Sequence, residues 1–342
     1  MEAYYAGDKV EKIDEGKAYT KGNSFRAIAE ALARKYRAEK LRLKDYDAYG
    51  HRLTTEDGNR GENFLPSLRG DILRAVKERQ AIRKGIDFAR TSKNMLSSQA
   101  MCFNLFVPLN RDKQLAARLF HFLIGGIRSI DDDIAYEYTP CKCIFGDQSG
   151  KGGVDCDVLV RYVGKNGGKG LVVIETKYVE TKFSTCGFRK YGQKDPCPVN
   201  TVVKDDYSNC RYHYKKNYSY WRVAGESSLY QMERLHSQPC PFGGSLWQLW
   251  TNLSLAYALA KENQYSEFKY VVICPRSNTI LSQDNEVFDG FKSILRRPEV
   301  FKVIYLEDIG EALRDESVVQ KRDPWIDEFI SRYCWHGQEK SV

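Results

Sequence analysis

Asp155 and Asp157 in GVDCDVLVRY stand two apart, and so do Glu175 and Lys177 in VVIETKY. Side chains spaced by two share one face of a strand, so each run aims both of its charges the same way. Two carboxylates can hold a divalent cation through oxygen, and a lysine beside them can orient water or neutralise charge growing on a phosphoryl group. That combination suits metal-assisted phosphodiester hydrolysis. Desolvated without a cation or hydrogen bonds, the same groups would be costly. The bland alternative is a solvated hairpin face on which Lys177 makes a surface ion pair worth about 0 to 1 kcal/mol. Val172, Val173 and Ile174 argue against it, because an apolar run just before Glu175 reads as an interior strand.

The two runs are joined by GKNGGKG, the composition of a hairpin turn. A loop from Gly164 to Gly170, centred on Gly167, sets Asp157 beside Lys177 with Glu175 one step diagonal. Ahead of the hairpin, IAYEYTP reads as a strand, and the chain before Ile130 reads as mainly helical. Phe25, Ile28, Leu32 and Tyr36 recur behind a capping Ser24, in a pattern that runs on toward Lys44; Ile72, Val76 and Ile82 follow Pro66. SSQAMCFNLFVPL is helical from Ser97 to Phe106 and should stop by Pro108. Asn110 then opens a helix through Leu123 that Gly125 and Gly126 close. Residues 181–222 lack clear periodicity. Helices resume near Gly225–Leu235 and Ser245–Lys261, followed by strand FKYVVIC, helix VFDGFKSILR, strand FKVIYL and helices near Glu307 and Trp325. The expected organisation is a helical region over 1–130, an α/β core over 131–305 with an insertion at 181–240, and a C-terminal helical segment over 306–342 packed on the core.

With these elements in place, GVDCDVLVRY followed by VVIETK resembles the PD-(D/E)xK nuclease superfamily, in which a strand Asp precedes Glu-x-Lys on the next strand. SSQAMCFNLFVPL, AYEYTP and SLWQLWTNLSLA are similar to elements of uncharacterised bacterial members, over roughly residues 95–305. No Pro precedes Asp157, where that family often has one. The resemblance implies a restriction-endonuclease-like α/β core with a mixed central sheet. It implies Mg²⁺ or Mn²⁺ held by Asp157, or alternatively Asp155, together with Glu175, and Lys177 assisting water attack. Glu137 matches an acid supplied by a preceding element, and Gln248 a polar residue on a following helix. The implied substrate is nucleic acid, DNA first. The alternative is a noncatalytic nucleic-acid-binding protein on a degenerate nuclease fold.

Gln99 and Asn104 are polar positions in an apolar helix that either organise the site or satisfy core hydrogen bonds. Glu180, on the opposite parity from Lys177, belongs behind the site or at the surface. Cys186, Cys197, Cys210 and Cys240 follow the second strand. Four thiols could hold zinc or an iron–sulfur cluster, or remain ordinary buried thiols, and the 11-, 13- and 30-residue spacings match no compact knuckle. Cys141 and Cys143 could lend two ligands in another combination. Between Cys186 and Arg222, eight Lys and Arg face three Asp, with tyrosines and Trp221 interleaved. That pattern fits either a clamp for phosphates and bases or a basic loop anchored by its aromatics.

The 342 residues, 42% hydrophobic and 29% charged, suit a globular protein, and the net +8 charge is compatible with a polyanionic partner. The opening MEAYYAGDKVEKIDEG has no apolar signal core, and no run approaches the length of a bilayer span, so a cytoplasmic protein without a membrane partner is expected. Phosphate-loop, dinucleotide, nucleophile-elbow and HExxH signatures are absent.

Overall fold

Val172, Val173 and Ile174 are wholly buried inside a six-stranded sheet, as a continuous apolar run covered on both faces should be. The computed structural model describes residues 13–22, 24–82, 85–146, 154–189, 197, 206–235, 240–282 and 285–335. Its strands are β1 (Ile127–Ile130), β2 (Ala135–Tyr138), β3 (Cys156–Gly164), β4 (Lys169–Thr176), β5 (Glu267–Cys274) and β6 (Phe301–Tyr305). They lie in the order β1-β3-β4-β5-β6, with β2 also paired to β3. β1, β2 and β4 are antiparallel to β3, whereas β4, β5 and β6 are mutually parallel neighbours. The class is the expected α/β with a mixed central sheet.

The helices are α1 (Phe25–Lys35), α2 (Thr55–Arg60), α3 (Arg69–Ala81), α4 (Phe88–Lys93), α5 (Ser98–Arg111), α6 (Lys113–Ile124), α7 (Lys142–Phe145), α8 (Arg211–Tyr214), α9 (Tyr220–Ser227), α10 (Leu246–Glu262), α11 (Thr279–Ser282), α12 (Glu286–Ser293), α13 (Leu306–Ala312) and α14 (Pro324–Tyr333). Strand alternation divides them into two layers. Val158, Val160, Val172, Ile174 and Val271 face a core shared with α1, α3, α5, α6, α13 and α14. Leu159, Leu171, Val173, Tyr270 and Val272 face a second core shared with α9, α10 and α12. Parallel strands need a crossover, and α10 lies on the one joining β4 to β5.

Four expectations are corrected. The turn spans Gly164–Gly168 rather than reaching Gly170: Gly164 N–H bonds Gly168 O at 2.7 Å, and Gly167 takes a left-handed φ of 83° that glycine adopts freely. β4 therefore starts at Lys169, which pairs with Val163, and the register moves by two residues. Pro108 sits inside α5, which continues to Arg111. Losing one backbone bond costs about 3 kcal/mol, and burial of every residue from Ala100 to Leu109 outweighs it. Asp112, not Asn110, caps α6 by accepting from Leu115 N at 2.8 Å, while Asn110 Oδ1 accepts from Ile134 N at 2.8 Å. Finally, Ile127–Ile130 is already strand β1.

Candidate active site

The last ladder pair of β3 and β4 at this end is Val158 with Ile174, so Asp157 and Glu175 come opposite one another where the strands part. Asp157 Oδ2 accepts from Thr176 N at 2.6 Å and from Thr176 Oγ1 at 2.7 Å, closing the end of the ladder. Lys177 N donates to Ile273 O at 2.8 Å, which carries the pairing with β5 one residue beyond β4. Its Nζ lies 2.7 Å from Glu175 Oε1 and 5.7 Å from the Phe183 ring centre. From α10, Gln248 Nε2 reaches Glu175 Oε1 at 2.7 Å and Asn252 Nδ2 reaches Oε2 at 3.0 Å. The corrected register thus sets Asp157 across from Glu175 rather than beside Lys177.

Glu137 arrives from β2 by a less regular route. Its φ of 46° is left-handed and unfavourable for a glutamate. Gln99 of α5 donates to its carboxylate at 2.6 Å and to Gly85 O at 2.8 Å, and Arg79 of α3 donates to the Glu137 carbonyl. Gly85 is pressed so close that an added Cβ would stand 2.8 Å from Glu137 Oε2.

Three carboxyl groups and one ammonium in so little water perturb one another. Burial, then the Asp157 charge, raise Glu175 to about 7, against the pull of Lys177 and Asn252. Burial also raises Asp157 despite Lys177 and the Thr176 bonds. Glu137 is pushed well above the ordinary carboxylate range by burial and then by Asp157, with Gln99 opposing. For Lys177 burial acts downward, yet Glu175 and Asp157 outweigh it and hold the ammonium above its usual value. The cluster carries more negative than positive potential, which favours a cation.

Among the described residues, no three His, Cys, Asp or Glu side chains are drawn together as a ligand group. Mg²⁺ needs less, since it keeps several waters and is often bound by one or two carboxylates. The Asp157 and Glu175 donor pair fits that demand. Asp155 precedes β3 and is half-buried, and the carboxylate bonded to Thr176 is that of Asp157.

Two residues beside the site were not singled out in the sequence. Asn252 follows Gln248 by one helical turn, a spacing that could have flagged it. Thr176 fills the x of Glu-x-Lys and gave no such signal. Asn104 is a core polar group bonded to Leu65 N, Asn63 O and Tyr333 Oη. Glu180 sits behind Lys177, held by Ser98 Oγ at 2.6 Å and Tyr178 N at 2.7 Å. A cleft of about 470 Å³ opens beside it, lined by Arg26, Arg52, Arg90 and Lys93.

The insertion is described only in part: Lys190, Tyr191, Lys194, Asp195, Lys204 and Asp205 lie outside the described residues. Tyr218, Tyr220 and Trp221 are buried, and Tyr212 stacks on Trp247 at 4.8 Å, so these aromatics anchor the insertion to α10. Tyr207 and Tyr214 are exposed. Cys141 is disulfide-bonded and is not a free thiol. No helix among the described residues is long and apolar enough to cross a membrane.

A family model described as the PD-(D/E)XK nuclease superfamily matches residues 21–335, nearly the whole chain. No curated protein and no solved structure matches it.

Proposed function

The chain belongs to the PD-(D/E)XK nuclease superfamily, and from that membership we propose that it hydrolyses phosphodiester bonds in nucleic acid, DNA first, with Mg²⁺ or Mn²⁺. Its restriction-endonuclease-like fold sets Glu175 on β4 and Lys177 just past its end, their charged groups 2.7 Å apart, with Asp157 opposite Glu175, and that single arrangement carries the reading. Asp157 and Glu175 would hold the ion, with Glu137 nearby as a further acid. When bound, the ion would polarise the phosphate and lower the pKa of an attacking water.

The chain's own residues then have distinct tasks. Lys177 stays an ammonium at neutral pH because its carboxylate neighbours favour the charge. It therefore orients water and neutralises phosphoryl charge instead of removing a proton. Gln248 and Asn252 fix both oxygens of Glu175, and Thr176 fixes Asp157. Arg26, Arg52, Arg90 and Lys93 outnumber Asp87 and Glu180 in the lining of a cleft, a positive balance that suits a phosphate backbone.

The test is cleavage of single- and double-stranded DNA and RNA by the purified chain in Mg²⁺ or Mn²⁺. Product should form with the ion, vanish with chelator, and vanish in Glu175→Ala and Lys177→Ala proteins that remain folded. A wild-type protein that cuts none of these substrates with either ion, yet binds DNA without one, would establish the noncatalytic alternative.

A further inference from the structure

Tyr19 is 57% exposed, yet the backbone that carries it is tied down. Its N–H and that of Thr20 donate to the two oxygens of Glu30, a carboxylate buried on α1, the second bond at 2.9 Å. Gly50 N donates to Lys17 O at 2.9 Å, and Arg34 Nη1 to Gly16 O at 2.8 Å. Tyr49 lies at 70° to the Tyr19 ring, 4.8 Å between centres. Desolvating a carboxylate costs stability, and here it fixes a segment whose aromatic ring stays in water. The fold presents this ring instead of packing it.

Arg26 joins the ring to the cleft beside Glu180. Its guanidinium stands 6.0 Å from the Tyr19 ring centre, and it lines the cleft of about 470 Å³ with Arg52, Arg90 and Lys93. Arg90 is paired to Glu180 at 3.2 Å and Lys93 to Asp47 at 2.9 Å. Among the described residues, the side chains of Arg26 and Arg52 have no hydrogen bond and no ion pair. Of the two acids in the lining, Glu180 is taken by Arg90, and Asp87 caps α4 by accepting from Arg90 N at 3.0 Å. The cleft wall at Val179 and Glu180 continues the chain from Lys177, and three residues span at most about 11 Å. A nucleic-acid strand with a phosphate at Lys177 therefore has its neighbouring nucleotides at this cleft.

Unpaired arginines beside an exposed ring suit an unpaired nucleotide. The guanidinium groups take the phosphate, and the ring takes the face of a base that a duplex would keep inside its own stack. We infer that Tyr19, Arg26 and Arg52 form a stacking site for an unpaired base next to the bond that is cut, so that the substrate is single-stranded or locally opened DNA. The inference rests on the nuclease reading and adds to it the strand state of the substrate.

An oligonucleotide carrying 2-aminopurine, whose fluorescence falls when it stacks, tests this with the purified full chain in chelator, so that cleavage plays no part. The wild type should bind the single strand and quench it. Tyr19→Ala should abolish the quenching and weaken single-strand affinity about 5- to 150-fold, the range for stacking of one base, with a smaller loss on the matched duplex. Tyr19→Trp should restore both readouts, and Phe122→Ala, which removes a comparably exposed ring on α6, should alter neither. Thermal melts check that Tyr19→Ala folds. A wild type that does not bind the single strand, quenching that survives Tyr19→Ala, or an equal loss on single strand and duplex overturns the site. The nuclease reading is decided by cleavage in Mg²⁺ or Mn²⁺ and this site by binding without either ion, so the two fail separately.

Discussion

Gln248 Nε2 and Lys177 Nζ both meet the same oxygen of Glu175, each at 2.7 Å. One donor comes from a helix and the other from the residue just past the strand that carries the acid, so Glu175 is fixed from two layers of the fold at once. Burial works against its charge, and the donors work for it.

Replacing Lys177 by Met leaves a buried carboxylate without its ammonium. Chemical denaturation should show a loss of about 3 kcal/mol at pH 8 and a smaller loss at pH 5, where Glu175 takes a proton. Cleavage should fall about 10²- to 10³-fold. Equal destabilisation at both pH values would contradict the ion pair.

Glu175 titrates near 7 in the folded chain against an ordinary 4.5. The folded state therefore binds that proton more tightly, and the stability it contributes is complete below about 4.5 and lost as pH rises through about 7. Asp157 and Glu137 shift in the same direction. In chelator, Tm relative to Glu175→Gln should fall between pH 5 and pH 8. Mg²⁺ should restore it at pH 8 and do little at pH 5, as scanning calorimetry would show.

Asn252→Ala removes one buried donor from Glu175, costing about 1 to 2 kcal/mol. The acid limb of the pH–rate profile should move upward and kcat should drop more than KM changes. An unmoved pH profile would reduce Asn252 to a packing role.

Arg26→Ala combined with Arg52→Ala thins the charge of the cleft beside Glu180. Affinity for duplex DNA should weaken, and the slope of log affinity against log salt should fall by about 0.9 for each phosphate contact removed. Fluorescence anisotropy over a salt series measures both, and an unchanged slope would place the backbone elsewhere.

Two glycines give opposite signs. Gly85→Ala meets Glu137 at 2.8 Å and starts from a φ of 76°, so both stability and cleavage should fall. Gly290→Ala, inside α12 with nothing within 4 Å, should stabilise by about 0.5 to 1 kcal/mol, since alanine is the better helix former. Paired melts of the two variants decide this.

Periodicity made β3 and β4 legible, and with them the common face of Glu175 and Lys177, because alternation is a local property of the strand. The apolar run before Glu175 likewise announced burial on both faces. The Asp157–Glu175 pairing was not legible: it depended on whether Lys169 and Gly170 belonged to turn or strand, a choice made by the Gly164–Gly168 bond and the packing of two cores. Nor could the linear chain disclose that Gln99 and Gly85 embrace Glu137. Local sequence sets which way a side chain faces, whereas the partner it faces comes from another segment, and only the burial of both layers against one sheet selects it.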